Sequence, residues 1–418
     1  MKDRWTGSEV DRRTVDGAGV ATTFLRWTFL RAVFHRGYVL VSSLYFVINA
    51  HLSASQLVIL GTVMAVTLLV SDIPAGAWSD AFSRKWPLVI GHGFLAAGMA
   101  MTGFVTAFPL LLVTQVLGGL GWAFSTGADV AWVTDELDQP DRIARVLTAR
   151  ARWELIGGAT GLVLFGLLGW TAGLGPAIVV AGAAMAVVGL FVAARFPEDN
   201  FAPVHISRWR ASLSILRRGT TIARRDHEIL IVLAATMIIN AASMVGWLFP
   251  KQLVDLGFPN NPVLWYTALG IVASAFGVVA LHIVESRIHG IGVARRIYAL
   301  SCLIGFAGLI LLAYAPNALL GGVGVVLASG IAFNVTRAVS VIWVNRRTAT
   351  DVRATVHSFL SQAESIGEIG GGFVLAGLAH AAGISPTLVV SGALVAFTGV
   401  MVVRSRADRV PVSASNST

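Results

Sequence analysis

Asp72-Ile-Pro-Ala-Gly-Ala-Trp-Ser-Asp-Ala-Phe-Ser-Arg-Lys85 is the stretch on which the reading of this chain turns. One apolar run, Gln56–Val70, precedes it, and another, Trp86–Phe104, follows. Each belongs to a segment long enough to cross a bilayer, which takes about 20 residues as a helix. A charged, Gly-bearing turn between two such segments belongs at a membrane face. Gly76 has no side chain, so a neighbouring helix can approach closely there. Asp80 follows by four residues, and Arg84 and Lys85 by about four more, so the acid and the bases can share one helical face.

Composition agrees with a membrane protein. Of 418 residues, 56% are hydrophobic and 13% charged, against about 25% charged in soluble domains. The net charge of +9 comes from basic residues placed between apolar runs. That placement points to topology signals and lipid headgroups rather than nucleic acid. A single cysteine, Cys302, excludes an internal disulfide and any cysteine-based metal cluster. Residues 1–20 are polar, with Lys2, Arg4, Arg12 and Arg13, and no apolar core begins before Phe24. No secretory leader is expected, and the first span should insert with the N-terminus in the cytoplasm.

Twelve runs have spanning length, near 31–50, 56–79, 86–106, 108–134, 146–169, 173–194, 229–250, 262–284, 297–315, 318–343, 354–380 and 384–403. Of the 31 Lys and Arg, Lys251 alone falls in an outer loop, and Arg36 and Arg337 lie in or beside spans. The remaining basic residues share one face, which places both termini in the cytoplasm and favours an even number of helices. The long connector Arg195–Glu228 interleaves Arg208, Arg210, Arg217, Arg218, Arg224 and Arg225 with Trp209, Leu213, Ile215, Leu216 and Ile222. It suits a basic helix lying along the inner leaflet.

The chain also repeats itself. Trp132-Val133 matches Trp343-Val344 and Arg142 matches Arg353 at an offset of 211. Glu154-x-Ile156-Gly157 matches Glu364-x-Ile366-Gly367, and Gly161 matches Gly371, at an offset of 210. A half-length repeat in twelve spans implies an all-α membrane protein of two pseudo-symmetric six-helix bundles about a central path. The expected division is an N-terminal bundle over 1–195, a cytoplasmic basic linker over 196–228 and a C-terminal bundle over 229–418.

Gly76-x-x-x-Asp80-x-x-x-Arg84-Lys85 resembles the loop 2–3 signature of the major facilitator superfamily, Gly-x-x-x-Asp-basic-x-Gly-Arg-basic. Ala81 and Ser83 depart from it, standing where a basic residue and a glycine are usual. Asp72-x-Pro74-x-Gly76 is similar to the lead-in of a bacterial, efflux-like, twelve-helix subset. Gly127-Ala-Asp129-x-Ala-Trp132 is similar to a stretch of the same subset. The resemblance implies rocking of two bundles, with loop 2–3 as an inner latch. In that latch Asp135, or with less support Asp129, bridges to Arg84, while Asp80 faces the start of span eleven. It further implies transport of a small solute, with export of an amphiphilic compound against protons preferred over uptake or a sensor role. The antiporter pattern of span five is incomplete, because Gly157-Gly-Ala-Thr-Gly161-Leu-Val-Leu-Phe-Gly166 lacks its proline.

An unpaired charge at the bilayer centre costs about 2.5–3.5 kcal/mol on insertion scales. Each intramembrane charge therefore needs a partner or a task. Glu154 in span five has Arg150 one turn earlier. Glu364 and Glu368 share a face of span eleven, with Arg337 of span ten as the expected counter-ion of Glu364. Glu368 is the first proton-coupling candidate, Glu154 the second and Glu364 a third; structural ion pairing is the competing role. Arg36 can hold an anionic substrate group or reach to headgroups, the second being favoured. Tyr38, Tyr45, Asn240, Trp247 and Asn334 are candidates for the substrate path. No nucleotide loop, metal-ligand spacing or nucleophile triad occurs in the sequence. The chain reads as a monomeric carrier of a small molecule in the cell membrane, not an enzyme, and neither a cofactor nor a metal is expected.

Overall fold

The computed structural model describes residues 6–137, 139–203, 227–258, 261–288, 290–348 and 353–405. Among them the chain is helical and contains no strand. The first half runs through α1 (Thr6–Ile48), α2 (Ala54–Ala81), α3 (Lys85–Phe104), α4 (Phe108–Ser125), α5 (Ala128–Leu137), α6 (Pro140–Thr171) and α7 (Leu174–Arg195). The second half begins with α8 (His227–Ser243) and, after one 3-10 turn, α9 (Phe249–Asp255). It continues through α10 (Pro262–Arg287), α11 (Ile291–Ala313) and α12 (Ala318–Val325). A π-helical stretch, Val326–Phe333, leads from α12 into α13 (Asn334–Arg347), followed by α14 (Arg353–Ala382) and α15 (Ile384–Arg404). Ten described segments are long and apolar enough to cross a membrane. α1 and α14, with 43 and 30 residues, are also long enough to cross and complete the twelve.

Several expected boundaries shift. α1 begins far before residue 31, because Phe24, Trp27 and Thr28 are buried and Arg31 finds a partner inside the bundle. Span four breaks at Gly127, whose φ of 84° suits glycine alone, so Asp129 falls in the first turn of a new helix. The signature stretch is less of a loop than expected. α2 continues through Pro74, Gly76 and Asp80, and only Phe82–Arg84 form the connection. Lys251 lies on α9 rather than in a loop and pairs with Asp255 at 3.5 Å. The basic stretch of the linker, 204–226, lies outside the described residues.

The repeat is a packing repeat. On α6, Gly157 and Gly161 lie against the carbonyls of Phe29 and Val33 on α1. On α14, Gly367 and Gly371 lie against Met237 and Ala241 on α8. A Cβ at any of the four would strike backbone. Gly119 meets the Met64 carbonyl, and Gly330 meets the Ala273 carbonyl in the same way. Lipid offers apolar side chains no reason to leave it, so close backbone contact is what binds such helices.

The two bundles touch at the end opposite the signature. The Trp247 indole lies over Gly61, Thr62 over Gly372, Thr267 over Gly166 and Leu162 against Gly270. At the signature end, the pairs Arg84–Asp80, Arg84–Asp135, Arg150–Asp129 and Arg295–Glu228 each lie inside one bundle. The charged side chains of Glu154 on α6 and Arg337 on α13 are exposed within their spans, which marks an opening between the halves rather than a lipid-facing surface, so the halves form a V closed at the far end.

Gly161→Leu and Gly371→Leu should each lower the thermal midpoint and the folded yield by overpacking, which costs about 1–3 kcal/mol. Gly377→Leu, where nothing lies within 4 Å of the added Cβ, should leave both unchanged. Detergent size-exclusion chromatography with a melting curve checks this.

Candidate functional site

Two features converge on the V: a fastened loop at the signature end and a cavity between the bundles.

In the loop, Arg84 pairs with Asp80, one turn earlier on α2, and its Nε donates to Asp135 on α5 at 3.2 Å. Its backbone N–H donates to Glu198, just past α7, at 2.5 Å, and the Lys85 N–H reaches the same carboxylate at 3.1 Å. Ser83 Oγ donates to Glu198 at 2.8 and 2.9 Å and accepts the Trp86 N–H at 3.0 Å. The serine that departs from the family pattern thus helps to cap α3, where a carboxylate also meets the positive helix end. Glu198 was not foreseen: it lies 115 residues from Ser83, and only folding joins them. Gly76 and Lys85 are half-buried beside this latch, and Asp72 and Pro74 are exposed on α2. The expected approach of Asp80 to the start of span eleven concerns side chains outside the described residues.

Asp129 is 2% exposed and receives Arg150 Nη2 at 2.7 Å, with Arg31 Nη1 at 3.8 Å. Arg150 therefore serves Asp129, not Glu154 as its spacing suggested. The buried carboxylate has more to gain from a counter-charge than Glu154, which is exposed on the open face of α6. The Trp27 and Trp122 rings flank the Arg31 guanidinium at 5.2 and 4.5 Å. Glu154 joins Arg31, Arg150, His35 and Trp122 around a chamber of about 30 Å³, room for one water.

The second half has its own buried pair, which no spacing in the sequence announces. Glu228 is bound by Arg295 at 2.5 Å and by the Trp343 indole at 3.0 Å. Arg295 also holds the Ser405 carbonyl at 2.6 Å, tying down the end of α15. Trp132, the counterpart of Trp343, donates instead to the Pro197 carbonyl at 2.7 Å. Arg337 does meet Glu364, at 2.9 Å, but its side chain is 69% exposed in the open half of the V. Glu368, one turn on, is half-buried and feels the charges of both.

Between the bundles lies a cavity of about 640 Å³. Of the predicted path residues, Arg36, Tyr38, Trp247 and Asn334 line it. Tyr45 and Asn240 do not. Tyr45 is buried and donates to the Val105 carbonyl, and Asn240 donates to the Thr236 carbonyl. Arg36 turns into the cavity rather than toward headgroups. Gln115, Tyr266, Trp122 and His35 join the lining; these polar and aromatic residues inside apolar runs were the missed signal. Asn334 donates to the Ser329 and Gly330 carbonyls at 3.0 and 2.9 Å, closing the widened π turn at the cavity wall.

The profile of the Major Facilitator Superfamily matches residues 22–372. The chain belongs to that superfamily. It is 26% identical over 171 residues to "Uncharacterized MFS-type transporter C18.02" of Schizosaccharomyces pombe, covering 40% of this chain. It is 31% identical over 85 residues to "Multidrug resistance protein 1" of Bacillus subtilis, covering 20% of this chain. The chain spans only 37% and 22% of those relatives' lengths. A crystal structure of the nucleoside transporter NupG superposes with a TM-score of 0.76 at 13% identity, covering 92% of this chain and 99% of NupG. An inward-facing bacterial homolog of the lysosomal transporter Spinster superposes at 0.69 with 15% identity, covering 92% and 95%. At such identities the likeness is one of fold. Membrane transport, not enzymatic turnover, is the activity of the family.

Glu198→Ala should leave the Ser83, Arg84 and Lys85 donors unpaired. A charged hydrogen bond contributes about 1.5–3 kcal/mol, so transport in proteoliposomes should fall about tenfold at equal protein. Asp80→Asn should do the same with normal insertion, and full activity of either would remove the latch role. Arg337→Ala should keep its folded yield, because an exposed pair contributes only about 0–1 kcal/mol.

Proposed function

We propose that this transporter exports a small amphiphilic compound, such as a drug or secondary metabolite, by alternating access and in exchange for protons. The observation that carries the reading is the cavity between the bundles. It is sealed at the far end by Trp247 over Gly61, and the exposed Glu154 and Arg337 side chains mark its opening toward the basic end. By the positive-inside rule that end faces the cytoplasm, with both termini. Its lining mixes Trp122, Trp247, Tyr38 and Tyr266 with Gln115, Asn334 and serine hydroxyls. Aromatic faces beside scattered hydrogen-bonding groups suit a compound with an apolar body and a polar end.

Export requires loading from the cytoplasm, which this state permits. Release outward then requires the V to reverse, with the basic ends closing. The Asp80–Arg84–Asp135 latch, fixed by Glu198, lies where that closure must occur. Its glycine, Gly76, and its lead-in, Asp72 and Pro74, complete the moving edge. Proton exchange falls to carboxylates in the open half: Glu368 first, then Glu154 and Glu364. Asp129 is set apart from these, since Arg150 and Arg31 already bind it and make it a fixed strut. The working form is a monomer in the cell membrane. The multidrug names of two relatives agree with this choice of substrate class.

Cells expressing the protein should accumulate less of an exported compound than controls across a substrate panel, and an uncoupler should erase the difference. Glu368→Gln should make the remaining transport independent of the proton gradient. Accumulation above the control would instead establish uptake.

A further inference from the structure

We infer that the central cavity selects organic anions, with Arg36 as the group that receives the anionic end. This rests on the transport reading above and names its substrate class.

The arginines of this region differ in their partners. Arg31 and Arg150 are committed to Asp129, at 3.8 and 2.7 Å. Arg36, about one turn beyond Arg31 on α1, has no carboxylate within 4 Å among the described residues. It is exposed, and what it is exposed to is the cavity. Among the described residues lining that cavity there is no Asp or Glu. The chamber therefore carries an uncompensated positive charge inside the membrane region, an arrangement that costs free energy unless a bound group relieves it. A guanidinium offers forked donors that fit a carboxylate or phosphate.

The surroundings hold Arg36 for this purpose. Gly158 on α6 has no side chain, and the Arg36 stem lies across it, with Cγ 3.3 Å from where a Cβ would be. Tyr38 and Gln115 stand nearby in the lining, and Asn334 faces them from the other bundle. Trp247 and Tyr266 lie toward the sealed end. Arg36 is twelve residues from the far end of α1, and Gly61, under Trp247, is seven from that of α2. At ~1.5 Å per residue the two differ in depth by about 8 Å. That matches a molecule with its anionic group toward the cytoplasm and a one- or two-ring apolar body against the indole. A cationic amphiphile would meet like charge in the same place.

The test uses the full chain in detergent and three probes with one body: 1-naphthaleneacetate, 1-naphthaleneacetamide and 1-naphthylethylamine. The carboxylate should bind at least tenfold more tightly than the amide or the amine, read by tryptophan fluorescence or ligand-induced thermal shift. Arg36→Gln should abolish that preference while retaining the amide's affinity, which shows an intact cavity. Arg36→Lys should keep part of the preference. Equal or tighter binding of the amide or amine by the unmodified protein overturns the inference. So does a preference unchanged in Arg36→Gln, or no binding of the carboxylate at millimolar concentration. Flux of the same probes in proteoliposomes separates the two readings. If the amide crosses and the carboxylate neither binds nor crosses, selection of anions falls and transport stands. If the carboxylate binds through Arg36 but no probe crosses, transport falls.

Discussion

Helices in lipid gain nothing by hiding leucines from one another, so this fold depends on backbones that come close enough to touch. The glycines at 157, 161, 367 and 371 let α6 lie on α1 and α14 on α8, with carbonyls where side chains would stand. Each contact fixes a helix pair inside one bundle. A different set, Gly61, Gly166 and Gly372, joins the bundles at one end only, through Trp247, Thr267 and Thr62. What is rigid and what can rock therefore follow from where the close approaches fall.

Charge adds a second layer. Buried carboxylates are shared: Asp129 between Arg150 and Arg31, Glu228 between Arg295 and Trp343. Both clusters lie toward the basic ends of their own bundles and stiffen them. Removing one partner of such a group would strand a charge in low dielectric, which costs about 3–5 kcal/mol. Arg337 and Glu364 are different, since the Arg337 side chain is exposed and such a pair can be broken at little cost. Arg36 differs again, having a cavity where the others have a carboxylate.

These layers support one cycle. In the cycle proposed above, the far seal and the open basic end serve as the loading state, and the Glu198-capped loop is the part that engages when the V reverses. The π stretch at 326–333 puts Ser329, Gly330 and Asn334 on the cavity wall. It is held by Asn334 itself and gives the second bundle an irregular surface, whereas the stretch 211 residues earlier, on α4, stays α-helical where Gln115, Gly118 and Trp122 line the cavity.

The sequence by itself determined the class. Run lengths, the one-sided basic residues and the half-length repeat dictate a membrane bundle of paired halves, because bilayer thickness and insertion energetics act on local composition. The Arg84–Asp135 contact and the Arg337–Glu364 pair were legible too, since helix periodicity and depth restrict which charges can meet. Other choices were not local. Glu198 and Glu228 reach partners more than 60 residues away, and no spacing rule announces them. Arg150 had two acids in reach, and only burial chose Asp129 over Glu154. Arg36 and Tyr45 looked alike as polar residues in an apolar run, but helix rotation turned one into the cavity and the other into the core. Where the bundles meet, and so which end is open, is a matter of packing between distant surfaces. That was decided by the tertiary structure alone.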